Sequence, residues 1–106
     1  LELEMILERA GYAVTHISYT AEDAMKYAEA DRPDIIIMDV MLRDNGSGID
    51  AAERINGMFA VPVLFITGNR KLIDENSLKN TSSYYVMSKP PCENDIIKNV
   101  KMLVGD

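Results

Sequence analysis

Three residues that could together handle a phosphoryl group follow apolar stretches of this sequence. Asp39 ends the run IIIM, Thr67 follows VPVLFI, and Lys89 follows YYVMS. A carboxylate can attack phosphorus, while a hydroxyl and an ammonium group can neutralise the charge on the phosphoryl oxygens. An ionised aspartate is a poor strand residue and is costly to bury without a partner. We therefore predict that Asp39 is a nucleophile at the tip of a strand.

Apolar spacing predicts four helices that would position these residues. In LELEMILERA, the apolar residues recur at helical intervals, and Gly11 should end this first helix. Thr20 and Ser47 are each followed three residues later by an acid, which resembles the capping box that starts a helix. A last amphipathic helix is predicted over 93–104, with its apolar face towards the core.

Four strands are predicted between these helices, and their order defines the fold class. The nearly continuous apolar runs at 35–39, 61–66 and 84–88 predict buried strands, and 12–19 predicts a short one. For the stretch 70–83 we expect a short, poorly anchored helix. Buried strands separated by amphipathic helices are typical of an α/β domain with a parallel sheet covered on both faces. Such sheets carry their sites at the carboxyl ends of the strands, where the three residues would meet.

Composition limits the class of protein and its partners. The 106 residues are 47% hydrophobic, which suits one domain over 1–106. A net charge of -6 argues against direct binding to nucleic acid or to an anionic membrane. No apolar stretch approaches the ~20 residues that span a bilayer. The lone cysteine, Cys92, fits a reducing compartment, so we expect a cytoplasmic protein.

The segments PDIIIMDVML, GSGIDAAERI, VPVLFITG and SKP, in this order, resemble the receiver domain of two-component response regulators. The resemblance covers the whole chain and implies a flavodoxin-like doubly wound parallel sheet, with strand order 2-1-3-4-5. It implies that Asp39 is the phosphoacceptor for a histidine kinase or phosphotransfer protein. Thr67 would be the switch hydroxyl and Lys89 the lysine that pairs with the phosphoaspartate.

The same resemblance implies a Mg²⁺ cofactor and a signalling role. The ion would be held by Asp39, by the backbone carbonyl of Met41 and by acidic residues upstream of Leu1. The implied protein is a switch that acts on an output domain or a downstream protein, with at most weak autophosphatase activity. Secondary site residues are Gly68, which leaves access to the site, Asn69, and Pro90, whose bond to Lys89 should be cis.

The sequence departs from the family pattern after Asp39 and before Lys89. Arg43 stands where most receivers have a proline, and Gly48 lies one residue farther from the aspartate than usual. This pattern is closer to a minority branch that includes receivers of the general stress response. Val86 occupies the usual position of the switch aromatic, and tyrosines fill the two preceding positions.

The family's first strand and acidic pair have no counterpart in the sequence. They would occupy about a dozen residues before Leu1. Since that strand lies between the next two strands in the family, we expect a slot between 13–18 and 35–39. An unpaired buried backbone group costs about 1–3 kcal/mol, and a small domain has about 5–15 kcal/mol of stability. We therefore expect the protein's own first strand, or less favourably a strand from another chain, to fill the slot. Direct pairing of the two segments would contradict this account.

Two other functions are compatible with parts of the pattern. A degenerate receiver would be a pure protein-interaction module without the acidic pocket. A phosphatase of the haloacid dehalogenase type also attacks phosphate with an aspartate at a strand end. That class needs a second acid two residues after the nucleophile, where this sequence has Met41. The phosphatase hypothesis is therefore disfavoured. The degenerate receiver stays open as an alternative, because it would differ from an active receiver only in the residues that would precede Leu1.

Overall fold

Helices and strands alternate from Ala21 onward, as predicted, whereas no strand separates the first two helices. The computed structural model describes residues 3–42, 46–73 and 75–105, so Arg43 lies outside the described residues. The helices are α1 (Leu3–Arg9), α2 (Ala21–Asp31), α3 (Gly48–Met58) and α4 (Glu93–Val104). The strands are β1 (Ile36–Asp39), β2 (Val63–Thr67) and β3 (Tyr84–Ser88), and two 3₁₀ helices span Arg70–Leu72 and Glu75–Leu78.

Side-chain caps begin two of the helices where the sequence predicts them. The Thr20 hydroxyl accepts a hydrogen bond from the Asp23 amide at 3.2 Å. The Ser47 hydroxyl accepts hydrogen bonds from the amides of Ile49 at 3.2 Å and Asp50 at 3.3 Å. Each cap satisfies amide groups that have no partner inside the helix, and this fixes where α2 and α3 begin.

The three strands form a parallel sheet in the order β1-β2-β3. Asp39 lies opposite Ile66 on the neighbouring strand, and Thr67 lies opposite Ser88. The carboxyl ends of all three strands therefore share one edge. This register places the residues that follow each strand within reach of one another, as the sequence predicts.

Both faces of the sheet are covered, and each face has its own core. On one face, Phe65 and Val63 of β2 pack with α3 and α2, and both residues are buried. On the other face, Leu64 and Ile66 of β2 pack with α1 and α4. Because neighbouring strand residues point to opposite faces, a strand covered on both sides is apolar throughout. This arrangement confirms the doubly wound class.

The stretch 12–19, which the sequence predicts as a strand, forms no strand in the structure. Among the described strands, β1 pairs with β2 alone, and a cavity of about 950 Å³ is lined by β1 on one side and by 12–18 on the other. A strand needs ladder hydrogen bonds to a neighbour, which apolar composition alone does not supply. The prediction of a strand at 12–19 is therefore wrong. The segments 13–18 and 35–39 do not pair directly, and the cavity that they line is the slot that the sequence predicts.

The stretch 70–83 is better anchored than predicted. It contains two 3₁₀ helices instead of one short helix, and Leu78 is fully buried in the core beside α3. Asn56 of α3 also holds this stretch, because its side-chain oxygen accepts hydrogen bonds from the Ser82 amide at 3.1 Å and hydroxyl at 2.8 Å. The same oxygen accepts from the Val61 amide at 3.3 Å. The expectation of poor anchoring is therefore wrong.

Candidate functional site

Asp39 closes β1, and both oxygens of its carboxylate have hydrogen-bond donors. The Met41 amide donates to Oδ1 at 3.1 Å, and the Lys89 ammonium donates to Oδ2 at 2.5 Å. The carboxylate is thus held by the backbone that follows β1 and by a side chain that follows β3. The two donors orient the Asp39 carboxylate. Its side chain is still partly exposed to solvent, so a reactant can approach it.

Lys89 reaches Asp39 because its backbone is tied to the strand between them. The Lys89 amide donates to the Thr67 carbonyl at 2.8 Å, and the Lys89–Pro90 peptide bond is cis, as the resemblance implies. The two charged side chains are 46% and 41% exposed. An ion pair this exposed contributes about 0–1 kcal/mol to stability. The pair therefore adds little to the free energy of unfolding.

Thr67 lies at the same edge, but its hydroxyl is bonded elsewhere. The side chain is almost fully buried. Its Oγ1 donates to the Asn69 carbonyl at 3.2 Å and accepts from the Asn69 amide at 3.1 Å. Among the described residues, the carboxylate of Asp39 receives donors from Met41 and Lys89 and none from Thr67. Of the predicted cluster, the carboxylate and the ammonium are thus paired, whereas the hydroxyl is bonded to Asn69.

A turn that sequence reasoning missed supports the carboxylate. Met41 and Ser47 form an antiparallel bridge, and the Gly48 amide donates to the Val40 carbonyl at 2.8 Å. An ideal Cβ on Gly48 would overlap the Asp39 carbonyl oxygen and would lie 2.8 Å from a side-chain carbon of Met38. Glycine at 48 therefore allows α3 to start directly against the end of β1. The sequence signal was the glycine itself, which directly follows the helix-capping serine.

The secondary residues lie beside the pair. A Cβ on Gly68 would meet nothing within 4 Å, so the space beside Gly68 is open. Val86, at the usual position of the switch aromatic, is half-buried in β3. Tyr85 is 44% exposed. Nearly half of this residue's surface is therefore in contact with solvent, so Tyr85 is not a core residue of the described structure.

Asp39 and Met41 carry oxygen donors of the kind that Mg²⁺ binds. The Asp39 carboxylate and the Met41 carbonyl are the hard ligands that this ion prefers, and Mg²⁺ commonly takes only one or two carboxylates with water and phosphate oxygens. Within 3–42, 46–73 and 75–105, no group of three acidic, histidine or cysteine side chains is placed to hold a metal ion. These two oxygen donors are of the type that Mg²⁺ binds, and they would fill only part of its coordination sphere.

A carboxylate at a strand tip, an ammonium on one of its oxygens and an exposed approach are groups of the kind that phosphoryl transfer uses. The chain matches the family model of the response regulator receiver domain over residues 2–101. It therefore belongs to that family of two-component signalling proteins. Receiver domains are signalling modules, generally not enzymes, which bind Mg²⁺ through acidic residues and interact with kinases and with output or partner proteins.

Among curated relatives, the chain is similar to the phyllosphere-induced regulator PhyR of Methylorubrum extorquens, with 40% identity over 63% of this chain and 26% of that protein. The N-terminal domain of a response regulator/sensory box/GGDEF protein from Carboxydothermus hydrogenoformans has a TM-score of 0.86 at 27% identity, covering 97% of this chain and 82% of that one. The PhyR receiver domain of Erythrobacter litoralis has a TM-score of 0.82 at 28% identity, covering 97% and 78%. The chain thus spans about a quarter of the first relative and most of each solved domain. These neighbours establish the flavodoxin-like receiver fold.

None of the helices that the structure describes combines the length and the apolar character needed to cross a bilayer.

Proposed function

We propose that residues 1–106 form a phosphoacceptor receiver domain in which Asp39 takes a phosphoryl group from a histidine kinase or a phosphotransfer protein. The observation that carries this proposal is the 2.5 Å contact between the Lys89 ammonium and the Asp39 carboxylate at the carboxyl edge of the sheet. Membership in the receiver family supports it. An ion pair this exposed contributes little to stability. A role in phosphoryl transfer accounts for its position better than a role in stability does, and this also supports the proposal.

In the proposed reaction, an oxygen of Asp39 forms a bond to phosphorus while the bond from phosphorus to the donor imidazole nitrogen breaks. The donor nitrogen keeps the electron pair of that bond and takes up a proton. Negative charge spreads over the phosphoryl oxygens as the bond to the donor lengthens. The Lys89 ammonium, already beside the carboxylate, neutralises that charge, and Thr67 supplies a hydroxyl once it leaves Asn69.

We include Mg²⁺ as the cofactor, held in part by the Asp39 carboxylate and the Met41 carbonyl. When bound, the ion would neutralise phosphoryl oxygens and orient them for attack. The protein's own contribution is the fixed position of the carboxylate, which the Met41 amide and Lys89 hold on two sides.

The proposed outcome of phosphorylation is a changed interaction with an output domain or a downstream protein. The domain itself would not contact nucleic acid, in keeping with its net charge of -6. We place the protein in the cytoplasm, where kinase and nucleotide are available. Its activity would be that of a switch with at most slow autodephosphorylation.

Acetyl phosphate with Mg²⁺ tests the proposal on the full-length protein. Intact mass should rise by one phosphoryl group, and hydroxylamine should remove it, because an acyl phosphate is labile to that nucleophile. Asp39→Asn should abolish the label. Asp34→Asn is the matched control and should keep it, because Asp34 is an exposed acid just before the other end of β1.

The other outcomes contradict the proposal in different ways. A label that persists in Asp39→Asn would move the nucleophile to another residue. Failure of the wild-type protein to accept phosphate from either acetyl phosphate or a phosphorylated kinase would favour the interaction module without phosphorylation. Continuous release of phosphate with multiple turnovers per minute would favour a phosphatase.

A further inference from the structure

Asn99 of α4 is a buried polar residue whose side-chain amide has no partner. The residue is 8% exposed, yet its amide forms no hydrogen bond with any other group in the described part of the chain. Most buried polar side chains in proteins have such a partner. Among the described side chains, Thr81 alone has a fully enclosed polar atom without a partner. The Asn99 amide is therefore not fully enclosed, and it opens on a cavity.

That cavity lies between β3 and α4 and has a volume of about 360 Å³. Sites for small molecules typically measure ~300–1,000 Å³. Cys92, Asp95 and Asn99 line the cavity from α4 and the residue before it, and they follow one another at helical intervals, so they share one face. Ser88 lines it from β3. The unpartnered amide thus opens on the same space as a thiol.

The thiol of Cys92 is available for reaction. Cys92 is exposed and forms no disulfide. It occupies the N-cap of α4, where its side chain makes no hydrogen bond to the helix. Serine, threonine, aspartate and asparagine are preferred at that position, because their side-chain oxygen caps the first amides. Cysteine therefore gives the helix no cap, and its sulfur is free to exchange with a disulfide that enters the cavity.

Charged side chains line the cavity beside the thiol. Arg70 and Lys98 bring positive charge and Asp95 brings negative charge. None of the three forms an ion pair with another described residue. Guanidinium and ammonium groups bind carboxylates, and an asparagine amide can both donate to and accept from a peptide group. A matching ligand has carboxylates, an ammonium group and peptide bonds close to a sulfur atom, which is the composition of glutathione.

We propose that Cys92 is a modification site at which a small peptide disulfide of the glutathione type binds and exchanges with the thiol. In the bound complex, Arg70 and Lys98 would hold carboxylates of the peptide, and Asn99 would bond its peptide group. This inference is independent of the proposed function, because it needs no phosphoryl group on Asp39.

The exchange conserves atoms and electrons. The Cys92 sulfur gives up its proton and attacks one sulfur of glutathione disulfide. A new sulfur–sulfur bond forms as the original one breaks, and the leaving half keeps the electron pair and takes up a proton. Cys92 is thereby oxidised to a mixed disulfide, while the leaving half is reduced to a thiol. In a reducing compartment the adduct would form when glutathione disulfide accumulates, and free thiols would remove it.

The rate of adduct formation on the reduced full-length protein tests the site. Glutathione disulfide is the probe. Hydroxyethyl disulfide, which has neither charges nor peptide groups, reports the intrinsic reactivity of the thiol. Peptide mass mapping measures the fraction of Cys92 that carries each adduct. The rate with glutathione disulfide should saturate as its concentration rises, whereas the rate with hydroxyethyl disulfide should rise linearly. The ratio of the two rates at low concentration measures recognition by the cavity.

Variants of the lining residues should lower that ratio. Asn99→Leu keeps the bulk of the side chain and should lower the ratio by about 2- to 10-fold, the size of one net hydrogen bond. Arg70→Gln combined with Lys98→Gln should lower it by about 2- to 20-fold, the size expected for exposed charge pairs. Because both positions are exposed, this double variant tests the site even if Asn99→Leu does not fold. Lys101→Gln is the matched control, since Lys101 is an exposed lysine of the same helix that does not line the cavity.

Other results would overturn the inference. Linear rates with both reagents and one ratio in all variants would mean that Cys92 is an exposed thiol without a binding site. A disulfide-linked dimer as the main product would mean that the thiol meets a second copy of the protein instead of a small peptide. A ratio that falls equally in Lys101→Gln would mean that overall charge, and not the cavity, attracts the reagent.

Discussion

Two glycines of the same helix should respond oppositely to alanine. A Cβ on Gly48 would overlap the Asp39 carbonyl oxygen and lie 2.8 Å from Met38, whereas a Cβ on Gly57 would meet nothing within 4 Å. Ordinary carbon contacts are about 3.5–4.0 Å, and the clash at 48 is with backbone, which cannot rotate away. We therefore expect Gly48→Ala to destabilise the fold and Gly57→Ala to stabilise it.

The magnitudes follow from overpacking and from helix propensity. Forcing an extra methyl into a filled space costs about 1–3 kcal/mol, and the gain in propensity at the first helical position offsets only part of it. Alanine in place of a helical glycine with free space gains about 0.5–1 kcal/mol. The free energies of unfolding of Gly48→Ala and Gly57→Ala should thus differ by about 1.5–4 kcal/mol.

Urea denaturation of the full-length protein measures the free energy of unfolding of each variant, and the acetyl phosphate assay measures its labelling rate. Since Gly48→Ala pushes on the backbone of Asp39, its labelling rate should fall by up to about 100-fold, the size that a 1 Å misplacement can cause. Gly57→Ala should label at the wild-type rate. Equal stability of the two variants, or normal labelling of a destabilised Gly48→Ala, would refute the close-approach argument.

Three further predictions follow from single contacts. Lys89→Met should change the free energy of unfolding by about 1 kcal/mol or less, because the pair is exposed, yet should slow labelling of Asp39; a large stability loss would contradict the assigned role. Asn56→Ala should lower that free energy by about 1–3 kcal/mol by leaving the amides of Val61 and Ser82 without an acceptor, and Asn56→Asp, which keeps the acceptor, should lose clearly less in the same urea titration. Leu78→Ala should cost about 2–5 kcal/mol because the side chain is fully buried; a loss below 1 kcal/mol would mean that the 70–83 stretch is as poorly anchored as the sequence suggested.

The sequence was sufficient for the starts of α2 and α3 and for the meeting of the charged pair. Helical spacing and the Thr20 and Ser47 caps predicted where α2 and α3 begin, because capping depends on residues close together in the chain. The convergence of Asp39 and Lys89 was also predictable. Parallel strands that end at one edge leave little freedom in where their following residues lie.

The stretch 12–19 shows where sequence patterns stop being informative. Its composition resembles that of a strand, but a strand exists only through hydrogen bonds to a neighbour, and none of the described strands pairs with it. The burial of Leu78 is similar, because one leucine in a polar stretch gives no periodicity to recognise. Both features depend on what lies across the domain, which no short window of sequence contains.

The sequence by itself determined the types and order of the site residues, whereas the tertiary structure alone decided their hydrogen bonds. No sequence pattern indicated that the Thr67 hydroxyl would bond Asn69 instead of Asp39. Nor did any pattern indicate that Gly48 would lie against the Asp39 carbonyl. The physical reason is range: propensity and capping act over a few neighbouring residues, while side-chain direction and close approach are set by packing among segments distant in the chain.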